Sequence, residues 1–284
     1  MVEHLAKHYK KFLVKAIILG YYRLSMKIEQ SKRIGLVLSG GGIRGMAHIG
    51  LIKAMQEHDI EAEVISGTSV GALVGALYAN GNSVTDMLQF FRETPLFQYN
   101  FFAINKPGFI DTDRYFSIFK GFFPENSFES LEKPLYVVAT DLMRGLEKVF
   151  SKGELIHPLL ASAALTPVFS PVEIEKTLYA DGGVMNNFPK EYVDGKVDFI
   201  IGSNVSIAGE VKKRDLKNSL QLAGRVTGLM IYASSHKKLA ECDLFIEPLE
   251  LEKIGVLDKK GIEKAYQIGY DHGSRALEAL LIEK

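Results

Sequence analysis

Residues 62–77 of the chain read AEVISGTSVGALVGAL. An apolar run at 62–66 leads into the pentapeptide 67–71, which has the form Gly-x-Ser-x-Gly with Ser69 at its centre, and residues 72–77 continue with the spacing of a helix. A nucleophile elbow requires this strand, sharp turn and helix, because small flanking glycines let a strained turn lift the serine hydroxyl clear of the backbone. The stretch therefore predicts an α/β fold with Ser69 as a candidate nucleophile, although the pentapeptide alone is common.

A glycine-rich turn precedes the pentapeptide. Residues 34–39 form a buried strand pattern, residues 40–45 read GGGIRG, and residues 46–57 follow with helical spacing. The loop fits the Gly-x-Gly-x-x-Gly fingerprint of dinucleotide-binding proteins, but the next strand runs into Ser69 and lacks the acidic residue that holds a ribose. Alternatively, the glycines let backbone N–H groups at a helix N-terminus approach a developing negative charge. Three roles are open for Arg44: it braces the loop, it holds a nearby anion, or it is only a surface charge.

A serine nucleophile needs a base. The chain has seven histidines, of which His236 and His272 come late enough for the usual Ser…Asp…His order. A stronger candidate is Asp181, because the glycines at 182 and 183 can present it on a turn after a strand. An isolated Asp-Gly-Gly is usually only a turn, so Asp181 gains weight from the other two motifs.

Apolar strand-like runs alternate with helical patterns along the chain. This alternation predicts a three-layer α/β/α fold with a mostly parallel central sheet. The expected strands lie at 34–39, 62–66, 135–140, 147–150, 172–174, 199–203 and 244–247, and the later expected helices at 84–93, 112–120, 153–164, 215–240 and 260–282. We expect one catalytic domain over residues 34–284, which is long enough to bury a large core.

An aromatic-rich insertion covers about residues 90–128. Of the 29 aromatic residues of the chain, 17 Phe and 12 Tyr, this segment holds 13. One interpretation is that the insertion packs a satellite core of its own, and another is that it forms an apolar wall around an apolar substrate. The two interpretations are compatible.

The first 33 residues carry eight Lys or Arg and two Glu, a net charge of +6 in a chain whose net charge is zero. Apolar and basic residues alternate there with helical spacing. We therefore predict a basic amphipathic N-terminal arm at 1–33, whose residues 1–30 either contact a membrane surface or pack on the domain. The single cysteine excludes an internal disulfide, and no apolar run approaches the roughly 20 residues that span a bilayer.

The three motifs GGGIRG (40–45), GTSVG (67–71) and DGG (181–183), in this order and spacing, resemble the patatin-like phospholipase family. Four further short segments also resemble the corresponding segments of this family: residues 47–50, 139–142, 161–164 and 186–189. The resemblance covers roughly residues 33–205. Where small bacterial members have Ser-x-x-x-Pro-Gly, this chain has LTPV at 165–168, a difference that would alter the acyl pocket rather than the catalytic groups.

The resemblance implies a Ser–Asp dyad without histidine, in which Ser69 attacks an ester carbonyl and Asp181 takes its proton. The implied oxyanion hole is the N–H groups of Gly41, Gly42 and Ile43, with Gly40 shaping the turn. The supporting residues would be Arg44, Gly45, Gly67, Gly71, Gly182 and Gly183. His48 would order the glycine loop.

We therefore expect a serine acyl hydrolase that cleaves phospholipid or lysophospholipid esters. The alternatives are a carboxylesterase or thioesterase acting on soluble acyl chains, and a non-catalytic lipid-binding scaffold. No acidic cluster has calcium-loop spacing, so neither a metal ion nor a cofactor is expected. The expected location is cytoplasmic, with peripheral membrane contact open. No nucleic-acid partner is expected, and homo-oligomerisation remains open.

Overall fold

The computed structural model describes residues 33–95, 101–213 and 216–281. The predicted arm at 1–33 lies outside these residues except for Arg33, as does the part of the aromatic-rich insertion at 96–100.

The described residues form one mixed sheet in the order β5-β6-β3-β2-β1-β7-β8, with β4 paired to β3. The strands are β1 Ile34–Leu38, β2 Val64–Thr68, β3 Leu135–Asp141, β4 Leu146–Phe150, β5 Val172–Ile174, β6 Thr177–Asp181, β7 Phe199–Ser203 and β8 Leu244–Ile246. The five strands from β3 to β8 in this order are parallel, whereas β4, β5 and β6 pair in antiparallel fashion. The mostly parallel sheet predicted from the sequence is confirmed.

Helices cover both faces of the sheet. They are α1 Met46–Glu57, α2 Val70–Ala79, α3 Val84–Glu93, α4 Phe116–Phe122, α5 Ile156–Ser162, α6 Ser219–Leu239 and α7 Ile262–Leu281. Alternate residues of β1 separate the two cores: Leu36 and Leu38 belong to the larger cluster, whereas Val37 packs with Phe188 and Leu239 in a smaller one. Within the described residues, no helix has both the length and the apolar character needed to cross a membrane.

The third strand organises the part of the sheet that carries the predicted site. β2 pairs with residues 135–138 of β3, β6 pairs with residues 139–141, and β4 pairs with residues 137–141. β4 pairs with residues of β3 that also pair with β2 and with β6. It therefore occupies one edge of β3, and β2 and β6 follow each other along the opposite edge. Their carboxyl ends meet there, with Thr68 and Asp181 opposite two successive residues of β3.

The described residues of the aromatic-rich insertion do not form a satellite core. Phe90, Phe119 and five other aromatic residues of the segment belong to the larger core cluster. The ring of Phe90 makes edge contacts at centroid distances of 5.0, 5.2 and 4.9 Å with Phe91, Phe119 and Phe122. Other members of the segment, such as Phe109, are exposed. The insertion is therefore partly core and partly surface.

Phe90 and Phe109 provide a matched test of this division. Phe90 is 1% exposed and Phe109 is 66% exposed. Phe90→Ala should lower the free energy of unfolding by about 3–5 kcal/mol, because it leaves a cavity among packed rings. Phe109→Ala should change it by less than about 1 kcal/mol. Denaturant titration measures both, and equal losses would contradict this assignment of core and surface.

Candidate active site

Ser69 lies at the sharp turn between β2 and α2. Its backbone has φ 55° and ψ −126°, a conformation that L residues rarely adopt and that requires support from its surroundings. The flanking glycines provide that support through close approach. A Cβ on Gly67 would lie 2.5 Å from the carbonyl oxygen of Gly71, and a Cβ on Gly71 would lie 2.3 Å from that of Leu38. Both positions therefore exclude any side chain.

Ser69 and Asp181 are in direct contact. The Ser69 hydroxyl donates a hydrogen bond of 2.6 Å to Asp181 Oδ2. The Gly183 N–H donates to Asp181 Oδ1 at 2.7 Å, and the Thr140 hydroxyl donates to the Asp181 carbonyl oxygen at 2.8 Å. Both carboxylate oxygens are thus fixed, and one is directed at the serine hydroxyl.

The Asp181 carboxyl is buried, with 6% of its surface exposed. Desolvation raises its pKa from 3.8 to about 6, although the hydrogen bonds from Ser69 and Gly183 act in the opposite direction. A carboxylate with this pKa is ionised at neutral pH and is a better proton acceptor than an exposed aspartate.

The backbone of Ser69 is held by a residue that the sequence analysis did not assign to the site. The Ser69 N–H donates to the hydroxyl of Ser162 at 2.8 Å, and that hydroxyl donates to the Val138 carbonyl oxygen at 2.6 Å. Ser162 is completely buried at the end of α5. The segment 161–164 was only a family landmark in the sequence, since a serine among alanines carries no chemical signal of its own.

The glycine loop forms a turn and a short 3₁₀ helix, Gly42–Gly45, before α1. Gly41 and Gly42 have φ of 155° and 60°, and such backbone favours glycine. The Gly40 N–H donates to the Asn187 carbonyl oxygen at 3.3 Å, and the Ile43 N–H donates to the Val256 carbonyl oxygen at 2.8 Å. Among the described residues, the Gly41 and Gly42 N–H groups have no hydrogen-bond partner.

The hydrogen bonds of the glycine loop show which N–H groups of the implied oxyanion hole are already in use. The resemblance assigned the Ile43 N–H to it, but that donor is occupied by Val256. Gly40 was expected to shape the turn, and its N–H is also occupied, by the Asn187 carbonyl oxygen. Gly41 and Gly42 line the same cavity as Ser69 and keep their donors available.

Arg44 braces the glycine loop from outside. Its guanidinium donates to the carbonyl oxygens of Ile254 at 2.8 Å and Glu252 at 3.1 Å. Together with the bond from Ile43 to Val256, these contacts join the loop to residues 252–256, which lie near the C-terminus. Of the interpretations left open for Arg44, the brace agrees with this geometry and the free surface charge does not.

The remaining predicted glycines lie where elements touch. A Cβ on Gly45 would lie 2.5 Å from the side chain of Val70, and one on Gly182 would lie 2.2 Å from the Val138 carbonyl oxygen. A Cβ on Gly183 would lie 2.8 Å from Asn187 Oδ1. The supporting glycines are thus required by packing between the site's segments.

Asn187 is a second site residue that the sequence did not single out. Only 3% of its surface is exposed, and it lines the cavity. Its side chain lies between the glycine loop and the Asp-Gly-Gly turn. Its Nδ2 has no hydrogen-bond partner within the described part of the chain. A buried amide without a partner is costly, so a bound molecule or water that accepted from it would be favoured.

Of the predicted site residues, Ser69, Asp181 and residues 40–44 line a cavity of about 670 Å³. The polar part of its wall includes Ser69, Asp181, the glycine loop, Asn187, Arg225 and Glu252. The apolar part includes Leu73, Phe90, Phe91, Phe119, Leu160 and Phe169. Its size and lining are those of sites that bind small apolar molecules oriented by a few polar groups.

The described histidines take no part in this arrangement. His48 is fully buried, and burial lowers its pKa to about 4, so the ring is neutral. Its Nε2 lies 2.9 Å from the Ser39 carbonyl oxygen and therefore donates, while Nδ1 accepts from the Ser203 hydroxyl at 2.8 Å. His48 thus ties the start of the glycine loop to β7. His236 and His272 contact Tyr232 and Glu250 instead of Ser69.

Metal-ligating side chains are not gathered at this site. Among the described residues, no group of three or more His, Cys, Asp or Glu side chains could hold a metal ion.

Comparison with known proteins agrees with the fold and the motifs. The patatin-like phospholipase family model matches residues 36–194, more than half of the chain. The chain belongs to the patatin-like phospholipase family.

Its relatives are mostly longer proteins. Lysophospholipase nte1 of Neosartorya fischeri is 26% identical over 302 residues, which cover 93% of this chain and 19% of that protein. An uncharacterised NTE family protein of Mycobacterium tuberculosis is 26% identical over 291 residues, covering 92% of this chain and 49% of the relative. The chain thus spans about half or less of the length of these curated relatives.

The fold also resembles that of a solved structure. VipD from Legionella pneumophila superposes with a TM-score of 0.53 at 16% identity, covering 87% of this chain and 67% of that one.

The buried carboxyl gives a test that does not depend on activity. The unfolded chain releases the Asp181 proton near pH 4 and the folded chain releases it near pH 6. The folded state thus binds more protons between these values and loses stability as pH rises through them, on the order of 3 kcal/mol in total. Asp181→Asn, which mimics the protonated carboxyl, should be more stable than the parent at about pH 8 and similar to it at about pH 4.

Denaturant titrations at several pH values measure this difference. Ser69→Ala removes a hydrogen bond that lowers the pKa of Asp181, so its loss of stability should extend to higher pH. An Asn variant with the same advantage over the parent at both ends of the range would contradict the raised pKa.

Proposed function

We propose that this chain is a serine acyl hydrolase that cleaves the ester bonds of phospholipids or lysophospholipids, with Ser69 as nucleophile and Asp181 as general base. The observation that carries the proposal is the hydrogen bond of 2.6 Å from the Ser69 hydroxyl to Asp181 at the wall of a largely apolar cavity. Family membership and the presence of a lysophospholipase among the relatives support it.

The first half of the reaction forms an acyl-enzyme. The Ser69 oxygen attacks the ester carbonyl carbon while its proton passes to Asp181. The ester carbonyl oxygen becomes the oxyanion of a tetrahedral intermediate. When this intermediate collapses, the bond to the alkoxy oxygen breaks, and protonated Asp181 returns the proton to the leaving alcohol.

The second half releases the acid. Water, deprotonated by Asp181, attacks the acyl carbon, and the collapse of the second tetrahedral intermediate returns the proton to Ser69. A buried carboxylate is suited to both steps, because its raised pKa makes it a stronger proton acceptor near neutral pH.

The glycine loop is the proposed oxyanion hole. The Gly41 and Gly42 N–H groups are available, and a helix follows the loop, so its N-terminal dipole adds positive potential. Arg44 acts through the loop as a positioning residue, because its guanidinium is occupied with the carbonyl oxygens of residues 252 and 254.

The cavity favours a lipid acyl chain over a polar ester. The apolar part of its wall includes leucine and phenylalanine side chains, which release water when they bury an alkyl chain. Rates on long-chain phospholipid, lysophospholipid, short-chain ester and acyl thioester distinguish the proposed function from that of a general esterase or thioesterase. The proposed enzyme should prefer the first two.

Serine labelling tests the nucleophile. A fluorophosphonate probe should label the parent protein at Ser69 and leave Ser69→Ala unlabelled, because the probe requires an activated hydroxyl. Ser66→Ala is the matched control, since Ser66 is buried three residues upstream and its hydroxyl has no partner among the described residues. This control should label like the parent. Equal labelling of parent and Ser69→Ala would rule out the proposed nucleophile, and an unlabelled parent would favour the non-catalytic scaffold.

The pH dependence tests the base. With an Asp181 pKa of about 6, kcat/KM on a soluble ester should rise about tenfold per pH unit below pH 6 and level off above about pH 7. Asp181→Asn should lower the plateau by about a hundredfold or more. Initial rates across this range measure both effects, and a profile already maximal at pH 4 would contradict a buried aspartate base.

A further inference from the structure

Helix α6, Ser219–Leu239, is a single layer between the cavity and the exterior. Ala223, Thr227 and Ile231 line the cavity from one side of the helix. The other side of the helix carries four exposed apolar residues, whose successive spacings of four, three and one residues place them on one helical face. Their exposed fractions are 52% for Leu222, 48% for Val226, 42% for Leu229 and 69% for Met230. We name these four residues the outer stripe.

The outer stripe is not covered by the rest of the described chain. Of the side chains described in α6, only Ser235 and Leu239 are buried, and both lie toward the C-terminal end. Leu239 packs with Phe188, and Lys238 donates to the Asn186 side chain at 2.9 Å. In the N-terminal half, Arg225 donates to the Gly209 carbonyl oxygen at 2.6 Å. The helix is therefore held by packing at its C-terminal end and by Arg225 nearer its start, and its N-terminal half extends across the cavity with apolar groups on both sides.

The charged side chains of α6 itself have one sign. The 21 residues of α6 contain no Asp or Glu. Lys213 and Lys217 are exposed just before the helix, and Lys237 is exposed in its last turn. An apolar stripe between basic ends is complementary to a surface with an apolar interior and anionic headgroups.

A second exposed apolar segment borders the same cavity. Phe102, Ile104 and Phe109 are 53%, 78% and 66% exposed. The Phe109 N–H donates to the carbonyl oxygen of Val168, which lines the cavity. Two separate elements of the cavity wall thus present large apolar side chains to the outside.

We infer that the outer stripe of α6 is the surface that docks this protein onto a lipid layer. This inference rests on the proposed function, because it requires that the molecule entering the cavity come from that layer. Docking would bury the stripe in the apolar boundary and place the basic ends against anionic headgroups. A second copy of the chain fits less well, because a symmetric contact through the stripe would bring like charges together.

The sequence offers a clean probe, because the chain contains no tryptophan. Met230→Trp puts one indole on the stripe at a position that is 69% exposed. Met143→Trp is the matched control, since Met143 is 64% exposed in the turn between β3 and β4, away from the cavity lining. Both are made in the full chain with Ser69→Ala, so that the lipid is not consumed.

Phosphatidylcholine vesicles containing phosphatidylglycerol are added, and emission is recorded with and without brominated acyl chains. The Met230→Trp emission should shift to the blue and be quenched by the bromines, and that of Met143→Trp should do neither. Quenching of both probes, or of neither, would overturn the inference. A blue shift of Met230→Trp that depends on protein concentration without vesicles would also overturn it, because it indicates contact between copies.

A second variant keeps the test independent of the probe. Leu222→Gln, Val226→Gln and Met230→Gln together should weaken vesicle binding by at least about tenfold, because three apolar groups no longer enter the lipid. Leu142→Gln, Met143→Gln and Leu146→Gln remove a matched set of exposed side chains and should leave binding unchanged. Equal binding by both triple variants would contradict the inference, and circular dichroism shows that each is folded.

Activity separates this inference from the proposed function. With Ser69 intact, the α6 triple variant should hydrolyse a soluble short-chain ester at the parental rate but lose about tenfold on vesicles. No labelling of Ser69 in the parent refutes the proposed function alone, since vesicle docking is measured without catalysis. Docking through another surface refutes this inference and leaves the chemistry intact.

Discussion

The site depends on the way in which two strands share one edge of β3. β2 ends at Thr68 and β6 ends at Asp181, and both ends pair with neighbouring residues of β3 while β4 occupies its other edge. This arrangement brings two residues 112 positions apart within 2.6 Å. The Val138 carbonyl oxygen lies at the junction, where it accepts from Ser162 and excludes a side chain at Gly182.

A second constraint connects the site to the end of the chain. The glycine loop takes its shape from hydrogen bonds to the carbonyl oxygens of residues 252, 254 and 256, which lie beyond the segment 36–194 that matches the family. Helix α6 also lies beyond that segment and closes the cavity. Ser69 and Asp181 thus come from the family segment, and much of the enclosure of the candidate site comes from the region after it.

The sequence predicted the layered fold well, because buried parallel strands are continuous apolar runs and the glycines mark their turns. It gave no bounds for β6, although it placed Asp181 on a turn after a strand. The turn from β5 to β6 has positive φ at both Glu175 and Lys176, where such hairpins normally carry Gly or Asn, so the usual signal was missing. The sequence also could not predict the role of Ser162 or the hydrogen bond from the Ile43 N–H to Val256. Both depend on carbonyl groups that are distant in sequence and close in the fold. Local patterns carry no information about these tertiary partners.

The brace between Arg44 and residues 252–254 has a consequence for the order of events during synthesis. A ribosome finishes Ser69 and Asp181 long before it reaches the residues that shape the glycine loop. A nascent chain can therefore bring the serine and aspartate together while the loop still lacks its template. The glycine loop can take its observed shape only after residues 252–256 have been synthesised, so a shorter nascent chain has Ser69 and Asp181 without the shaped loop beside them.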